Sequence, residues 1–433
     1  MPMRAAARAA SVSRSFLHSW RCHPNLIFSK DTIGLKKSSS GENFHHKIDR
    51  ILRNHSGGLK TFSLDYSGMC GFDGTSYLDS WLQIALKPGI REVTLWLSET
   101  NRKYNFPCSL LSVGPLRSLT SLHLWHVSST WDELKCLLFN SLALEQLELV
   151  HCKEIACLKI PCSLQRLSNL SVFECLDLNV IESKAPNLST LFLRGHRLNF
   201  SCVETLQVKK LDILRSNFIQ DARTKLPSLM PNLETLVIIS GSEVVDAPML
   251  PTKFLYLKHL TIWLMFRPTS RPYDCLSLVS FLDASPSLET LVHLAKVYVT
   301  QLCMVHELMR ADSQVRHMPE HRHACLKSLK ISGFSSAKSL VELVCYILKN
   351  AVSLECLTLD TVYGHRCDQG KYKRCIPMSD NLLMEAPRAL LAIRRYIENK
   401  VPSTVEFIVL KPCSRCHVRR RQISSQSCNA ISI

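Results

Sequence analysis

Cysteine and histidine occur near the C-terminus of the sequence at a spacing that can bind metal. Two residues separate Cys413 from Cys416, and His417 follows directly. Thiolates at this spacing can share one zinc ion, and Cys-x-x-Cys-His is also the pattern for covalent haem attachment. A closed zinc site needs four ligands, so this segment alone supplies at most three of them.

The missing zinc ligands would have to come from a second segment of the chain. No second Cys-x-x-Cys lies nearby, although His365, Cys367 and Cys375 could contribute if the fold brings them to the first pair. Free cysteines are otherwise common as small buried apolar residues. The sequence therefore favours ordinary packed cysteines beside a terminal cap, and we expect no bound metal, haem or other cofactor.

The sequence shows no motif typical of catalysis. It lacks the G-x-S-x-G, H-E-x-x-H and Gly-rich phosphate-loop patterns, and its 36 acidic residues are scattered. The 17 histidines are dispersed, and His123, His126 and His151 fall on or just after predicted strands, where surface or turn positions are expected. We therefore expect no catalytic residue and no enzymatic activity.

The charge of the chain is concentrated at its two ends. The formal net charge is +17, of which residues 1–60 carry +8 and residues 411–433 carry +5. A nucleic-acid-binding domain usually carries its basic residues as a patch or stripe on the folded body. Basic ends on a near-neutral body disfavour nucleic acid as a partner.

The N-terminal sequence and the cysteine content indicate in which cellular compartment the protein is expected. Arginines and serines interrupt any apolar core of a secretory signal, and no run of about 18 apolar residues occurs. The 19 cysteines lie mostly within apolar patterns, as packed reduced thiols do. We expect no membrane association and a location in the cytoplasm, the nucleus or both. The Arg-, Ser- and Ala-rich residues 1–30 also have the composition of a transit peptide, which stays an alternative.

Internal repetition is the most informative pattern in the sequence. The unit is L-x-x-L-x-L, often introduced by Pro-Asn or Pro-Ser. Clear copies begin at Leu119, Leu144, Leu188, Leu233, Leu257, Leu326 and Leu354, and looser copies begin at Leu59, Ile90, Leu170, Val203 and Leu288. The x-L-x-L portion alternates as a strand with one buried face does, and such a strand is stable only when neighbouring copies stack on it.

This repetition predicts an α/β fold, a leucine-rich-repeat solenoid over residues 59–380. We expect a curved parallel sheet with helical or irregular return segments, including helices over 77–86 and 337–348 and a loop excursion over 295–325. The two shortest spacings between copies, 18 and 15 residues, indicate miscounted units.

The pattern changes near the end of the chain. A helix opening at Ala386–Pro387 and running to about Asn399, followed by a strand over Thr404–Leu410, predicts a C-terminal cap over 381–412. Residues 413–433 are predicted to be a basic disordered tail. Among the aromatic residues, Trp81, Trp96, Trp125 and Trp263 are expected to be a mixture of core and surface residues. The target-binding face is not identified from sequence, although Trp96, Trp125 and His151 are candidate anchors.

The first thirty residues resemble the second half of an F-box. The resemblance rests on A-A-R-A-A-S-V-S-R-S-F-L-H-S-W, and its matching residues are Ala7, Arg8, Val12, Ser13, Arg14, Phe16, Leu17 and Trp20. With the segments 48–57 and 389–406, the chain is similar to plant F-box/leucine-rich-repeat proteins, especially those of grasses. This gives a partial F-box over 1–30, a linker and lead-in helix over 31–58, and then the repeats.

The resemblance to that family implies a function. It predicts a substrate-recognition subunit of a Skp1–cullin–F-box ubiquitin ligase, with a protein target on the repeats. A Skp1-type adaptor would bind the remnant formed by Val12, Ser13, Arg14, Phe16, Leu17 and Trp20. The Leu-Pro helix that opens the family's F-box is not in this sequence, so adaptor binding is expected to be weakened. The alternative is a stand-alone repeat scaffold without ligase activity.

Overall fold

The repeat leucines form parallel strands in the computed structural model of the chain. The structure describes residues 3–34, 41–66, 75–98, 104, 116–195, 207–241, 243, 253–266, 273–297, 316, 318–362, 364, 367 and 374–417. The chain divides into two compact units, one of Met1–Ile239 with Leu250–Leu257 and one of Ser240–Met249 with Lys258–Ile433. Within each unit, helices and turns connect parallel strands, which confirms the predicted α/β leucine-rich-repeat fold.

Eight of the eleven strands described in the first unit correspond to predicted copies of the repeat, and β1, β6 and β8 do not. In chain order they are β1 (Asn25–Phe28), β2 (Thr61–Asp65), β3 (Glu92–Trp96), β4 (Ser121–Trp125), β5 (Gln146–Val150), β6 (Cys157–Ile160), β7 (Asn169–Phe173), β8 (Val180–Ser183), β9 (Thr190–Arg194), β10 (Lys210–Leu214) and β11 (Thr235–Gly241). The main sheet takes them in the order β1-β2-β3-β4-β5-β7-β9-β10-β11, with every pair parallel. Strands β6 and β8 form a separate two-stranded parallel sheet.

The alternation within each copy decides which side chains are buried. In β4, Leu122 and Leu124 are buried, whereas Ser121, His123 and Trp125 are partly exposed. The inward residues are in register across neighbouring strands, with Val93, Leu122 and Leu147 in one row and Leu95, Leu124 and Leu149 in the next. Burial of each such leucine contributes about 2 kcal/mol, so the stacked rows form the core of the sheet.

A buried cysteine lies two residues after the end of each of two neighbouring strands, β5 and β7. The Cys152 thiol donates to the carbonyl oxygen of Leu124 at 3.3 Å, and the Cys175 thiol donates to that of Leu149 at 3.6 Å. Both cysteines are buried and reduced. Each thiol follows one strand and donates to a carbonyl of the preceding strand in the sheet. A small, polarisable residue can fill this narrow space and also form the hydrogen bond.

The helices of the first unit lie before the repeats and between the strands. They are α1 (Met3–Ala10), α2 (Arg14–Arg21), α3 (Lys30–Ile33), α4 (Gly41–Arg53), α5 (Thr75–Ala85), α6 (Trp131–Asn140), α7 (Phe218–Thr224) and α8 (Leu226–Leu229). Helix α5 confirms the helix predicted over 77–86. Helix α6 begins with a capping box, in which Thr130 and Glu133 satisfy each other's backbone N–H groups.

The second unit repeats the same architecture. Its strands are β12 (His259–Phe266), β13 (Thr290–Val297), β14 (Ser328–Ser332), β15 (Cys356–Asp360) and β16 (Glu406–Leu410), and its helices are α9 (Val279–Ala284), α10 (Lys338–Asn350) and α11 (Asp380–Ala392). The strands pair in parallel in chain order. Helix α10 confirms the helix predicted over 337–348, and its buried face carries Leu340, Val341, Leu343 and Val344.

Two predicted copies start at the wrong residue. Strand β7 shows that the copy assigned to Leu170 begins at Leu167, because Leu170 and Val172 are its inward residues. Val203 lies outside the described residues, and the next strand, β10, has Leu211 and Ile213 inward, which places the start of that copy at Val208. In each case two apolar residues a few positions apart, Leu167 and Leu170 or Val203 and Val208, could have begun the copy.

The sheet also begins and ends beyond the predicted limits of 59 and 380. Strand β1 lies within residues 1–30, where the F-box resemblance was expected to continue, and it pairs in parallel with β2. At the other end, β16 of the predicted cap pairs in parallel with β15. The predicted excursion over 295–325 lies largely outside the described residues, and the predicted tail does so from residue 418 onward.

The cap helix begins earlier than predicted. Ser379 caps the N-terminus of α11 by accepting from the backbone N–H of Leu382, and Pro387 lies inside the helix instead of in its first turn. The helix continues through a π-helical turn over Ile393–Ile397 and a 3-10 turn over Glu398–Lys400. The Ser379 cap was missed because Pro387 suggested a start. None of the helices in the described part of the chain is both long and apolar enough to cross a lipid bilayer.

Candidate functional site

The outward side chains of the first unit form a surface that we call the outer face. It consists of the side chains of β2–β5, β7 and β9–β11 that alternate with the buried leucines. Aromatic residues concentrate on its middle strands. We call the half-buried Trp96, Trp125, Phe173 and Phe192 the aromatic patch.

Two tryptophans and a carboxylate occupy one side of the aromatic patch. The rings of Trp96 and Trp125 lie 4.1 Å apart between centroids. Glu148 Oε2 lies 2.8 Å from His123 Nδ1 and accepts from Trp125 Nε1 at 3.4 Å. The hydrogen bond with His123 holds the pKa of Glu148 below its ordinary value, against the opposing effect of burial. An ionised, oriented carboxylate therefore lies beside a broad apolar surface.

The other side of the aromatic patch is positively charged. The Arg194 guanidinium lies 4.8 Å from the centre of the Phe173 ring, and its Nη2 is 3.4 Å from both carboxylate oxygens of Asp212. Lys210 Nζ lies 5.2 Å from the centre of the Phe192 ring. Aromatic and arginine side chains that are fixed in place lose little entropy on contact, which is typical of binding hot spots.

The residue directly after each of three of these strands has a left-handed backbone conformation. His126, His151 and Glu174 directly follow β4, β5 and β7, and all three adopt positive φ angles of 57°, 50° and 48°. The rings of His126 and His151 are stacked 4.8 Å apart. The sequence prediction that these histidines lie in turns is therefore confirmed, and they extend the outer face beyond the strand ends.

The residues of the F-box resemblance form two short helices. Ser13 caps α2 by accepting from the Ser15 N–H, and no residue of α2 is buried. Val12 is 85% exposed and Phe16 is 53% exposed. Leu17 and Trp20 are half-buried, and Arg14 is exposed. The segment thus presents apolar side chains that the described residues of the chain do not cover.

The structure brings the C-terminal cysteine pair together with two earlier cysteines. Cys367 and Cys375 lie between β15 and α11, and Cys413 and Cys416 follow β16. Their four Sγ atoms lie within 4.8 Å of one another. His365 lies outside the described residues.

His417 does not point a free nitrogen at these sulfurs. Its Nδ1 accepts from the Cys413 N–H at 3.2 Å, so its Nε2 carries the proton and donates to the carbonyl oxygen of Ile376 at 2.9 Å. The N–H groups of Cys416 and Arg415 point at the Cys413 sulfur and lower the pKa of that thiol to about 7. His417 is therefore a positioning residue, which holds the turn that carries Cys413 against the segment that carries Cys375.

Comparison with known families gives the same fold. The family described as At1g61320/AtMIF1, LRR domain, matches residues 51–114 and 112–414. The chain belongs to this family. The comparison with curated proteins gives no match. Repeat domains of this class bind proteins through their extended sheet surfaces, so the outer face of this LRR domain is its candidate binding site.

Part of this LRR surface was not identified from the sequence. Trp96 and Trp125 were named as candidate anchors, and Trp81 proves to be buried in the core. Phe173 was missed, although it also directly follows the last inward residue of its copy, as Trp96 and Trp125 do. The repeated placement of an aromatic residue at this position was the available signal, and the misplaced start at Leu170 concealed it.

Proposed function

We propose that this LRR protein is the target-recognition subunit of a Skp1–cullin–F-box ubiquitin ligase. The outer face would hold a protein target, and helices α1 and α2 would bind the Skp1-type adaptor. The chain would bind its target and carry out no chemistry itself, because ubiquitin transfer belongs to the other subunits. It would work in the cytoplasm or the nucleus.

The aromatic patch is the observation that carries the target-binding half of this proposal. Its rings form two pairs, Trp96 and Trp125 on β3 and β4 and Phe173 and Phe192 on β7 and β9, with β5 between the pairs. An ionised carboxylate lies beside the first pair and a guanidinium beside the second. Aromatic and arginine residues are enriched where protein interfaces have their highest binding energy. A protein target with an apolar anchor and polar groups around it would fit this surface.

The exposure of Val12 and Phe16 supports the adaptor-binding half. Val12 lies in the turn before α2 and Phe16 lies on α2, which has no buried residue, so these exposed apolar side chains gain little from folding alone. They would gain free energy if a partner covered them. The resemblance of these residues to an F-box suggests that the partner is a Skp1-type adaptor.

A binding experiment with matched variants tests the proposal. The full chain is immobilised beside Phe16→Asp and the control Val352→Asp, which changes an equally exposed apolar residue elsewhere. We expect purified Skp1 to be retained by the full chain and by Val352→Asp but not by Phe16→Asp. The absence of Skp1 retention by the full chain, or equal retention by all three, would contradict the ligase function.

A second variant separates the two halves. Trp125→Ala removes the centre of the aromatic patch without removing an inward leucine. We expect it to lose target proteins from cell extracts while it keeps Skp1, whereas Phe16→Asp keeps the targets. Target binding without any Skp1 binding would identify the protein as a stand-alone repeat scaffold.

A further inference from the structure

The four cysteine sulfurs that follow β15 and β16 have the separations of tetrahedral ligands. Cys367 Sγ lies 3.6 Å from the sulfurs of Cys413 and Cys375, and 3.7 Å from that of Cys416. A metal with four sulfur ligands at about 2.3 Å places those sulfurs about 3.8 Å apart. One ion at the centre of the cluster would therefore reach all four atoms after only small shifts.

The arrangement does not fit the other uses of four cysteines. Disulfide bonds join sulfurs in pairs at about 2.05 Å, whereas Cys367 has three sulfur neighbours at nearly equal, longer distances. An iron–sulfur cluster is also held by four cysteines, but its own iron and sulfide atoms lie between the thiolates, so their sulfurs must stand farther apart than in this cluster. The spacing fits a single tetrahedral ion.

Backbone N–H groups are directed at the sulfurs. The Cys367 N–H donates to Cys375 Sγ at 3.3 Å, and the Cys375 N–H donates to Cys416 Sγ at 3.5 Å. Together with the N–H groups that point at Cys413, they disperse the negative charge of thiolate ligands. Such donors surround metal-bound sulfur and orient it.

The two segments are held close to each other by contacts outside the cluster. Gly364 has a φ of +94°, and a Cβ at this residue would lie 2.9 Å from Ile376 Cδ1, so glycine permits the approach. The hydrogen bond from His417 to the Ile376 carbonyl joins the turn after β16 to the segment that holds Cys375. The cluster is thus positioned by its surroundings before any ion binds.

The charge near the cluster also suits a thiolate-bound ion. Four thiolates around one divalent cation leave a net charge of −2. Arg374, Lys411 and Arg415 stand next to or within two residues of the cysteines in the chain. Their positive charge offsets the charge of the occupied site.

We propose that Cys367, Cys375, Cys413 and Cys416 bind one structural zinc ion that ties the loop after β15 to the turn after β16. Four protein ligands fill the tetrahedral coordination and leave no position for water or substrate, so the ion stabilises the terminal strand and does no catalysis. The sequence favoured ordinary cysteines because 37 residues separate Cys375 from Cys413, and only the fold brings the two pairs together.

The metal content of the full chain tests this site. The chain is purified in reductant, without a metal-affinity step, and its zinc is measured by mass spectrometry. We expect about one zinc per chain in the wild type and in the control Cys325→Ser, which changes an exposed cysteine outside the cluster. We expect the double variant Cys413→Ser/Cys416→Ser to lose the metal. Equal zinc in all three proteins, or none in the wild type after incubation with zinc, would overturn the proposal.

A spectroscopic measurement on the wild type does not depend on the folding of a variant. Reduced, zinc-free chain is titrated with Co²⁺, and the absorption spectrum is recorded. We expect the intense visible bands and thiolate charge-transfer bands of tetrahedral sulfur coordination, reversed by one equivalent of zinc. Only the weak bands of octahedral cobalt, or a mass lower by the hydrogens of two disulfides under reducing conditions, would overturn the site.

Discussion

In the second unit, one arginine forms ion pairs with two acidic residues. Glu342 on α10 has a fully buried side chain, and its carboxylate accepts from the backbone N–H and from Nε of Arg316, each at 2.8 Å. The same guanidinium contacts both oxygens of Asp274 at 2.7 and 2.8 Å and lowers the pKa of that carboxyl. An unpaired buried carboxylate is costly, so Arg316 carries much of the stability of this region.

We predict that Arg316→Met lowers the free energy of unfolding by about 2–4 kcal/mol. The contact with Asp274 is expected to contribute only a small part of this loss, because the Arg316 side chain is 45% exposed and solvent weakens the attraction between the two charges. Urea titration followed by circular dichroism measures the change. In the double variant Arg316→Met/Glu342→Met most of the loss should be recovered, and additive losses would show that the pair is not coupled.

A histidine stands where the repeat pattern calls for an apolar residue. His293 on β13 is completely buried and in register with Ile262 and Ile331. No described residue is hydrogen bonded to its Nδ1. Burial lowers the pKa of His293 from its ordinary value of 6.5 to about 4.

This histidine predicts a loss of stability in mild acid. Because the folded pKa is depressed, the unfolded chain takes up the proton first as the pH falls, and folding loses free energy between pH 6.5 and pH 4. The loss approaches about 3 kcal/mol at the lower limit. His293→Leu should remove this part of the pH dependence and stabilise the protein by about 1–2 kcal/mol at pH 7. Unfolding curves of the wild type and of His293→Leu at pH 7 and pH 5 measure the loss of stability in acid. An equal loss in the two proteins would contradict the prediction.

At the scale of elements, a buried carboxylate of α11 forms hydrogen bonds to the segment that precedes α10. The buried Glu385 accepts from both the backbone N–H and the hydroxyl of Ser336 at 2.7 and 2.6 Å, just before α10 begins. The contact spans 49 residues of sequence and joins the cap helix to the preceding repeat. Hydrogen bonds to a charged acceptor are among the stronger ones in proteins.

We therefore predict that Glu385→Ala lowers the free energy of unfolding by about 2–3 kcal/mol, because both Ser336 donors lose their acceptor. Glu385→Gln keeps an oxygen at the same place and should cost less than half as much. Thermal unfolding of the two variants beside the wild type makes the comparison. Equal losses would mean that packing of the side chain, and not the hydrogen bonds, fastens α11.

The elements differ in how far the sequence determines them. Strands β4, β5 and β15 follow from local alternation alone, since Leu122, Leu147 and Leu357 are each the first buried residue of an alternating strand. Strand β1 and the limits of α11 could not be predicted, because a four-residue strand has too little alternation and Pro387 is tolerated inside the helix. The cysteine cluster depends on residues brought together from a distance, which no local pattern reports.

At the scale of the whole molecule, each repeat depends on its neighbours. Leu357 of β15 is fully buried between Leu329 of β14 and Phe407 of β16 in the sheet register. Stability in such arrays is a sum of local terms and nearest-neighbour contacts, so damage spreads to adjacent strands first.

We predict that Leu357→Ala lowers the free energy of unfolding by about 3 kcal/mol and that it destabilises the neighbouring strands first. Hydrogen exchange measured by mass spectrometry should become faster in β14 and β16 before any change appears in β4 and β5. The outward Thr358→Ala in the same strand is the control and should leave exchange unchanged. Uniform acceleration throughout the chain would indicate one cooperative unit instead.

The in-register pairing of the strands has a consequence for how such genes can diversify. Leu122 meets Leu147 and Leu124 meets Leu149, while the side chains between them, His123 and Glu148, face outward. Unequal crossing-over between two repeats, or exchange of one repeat with a related gene, would keep each leucine opposite another apolar residue and bring in a new set of outward side chains. Recombinants of this kind would retain the fold while acquiring a different partner, so selection could act on binding without first having to restore the core.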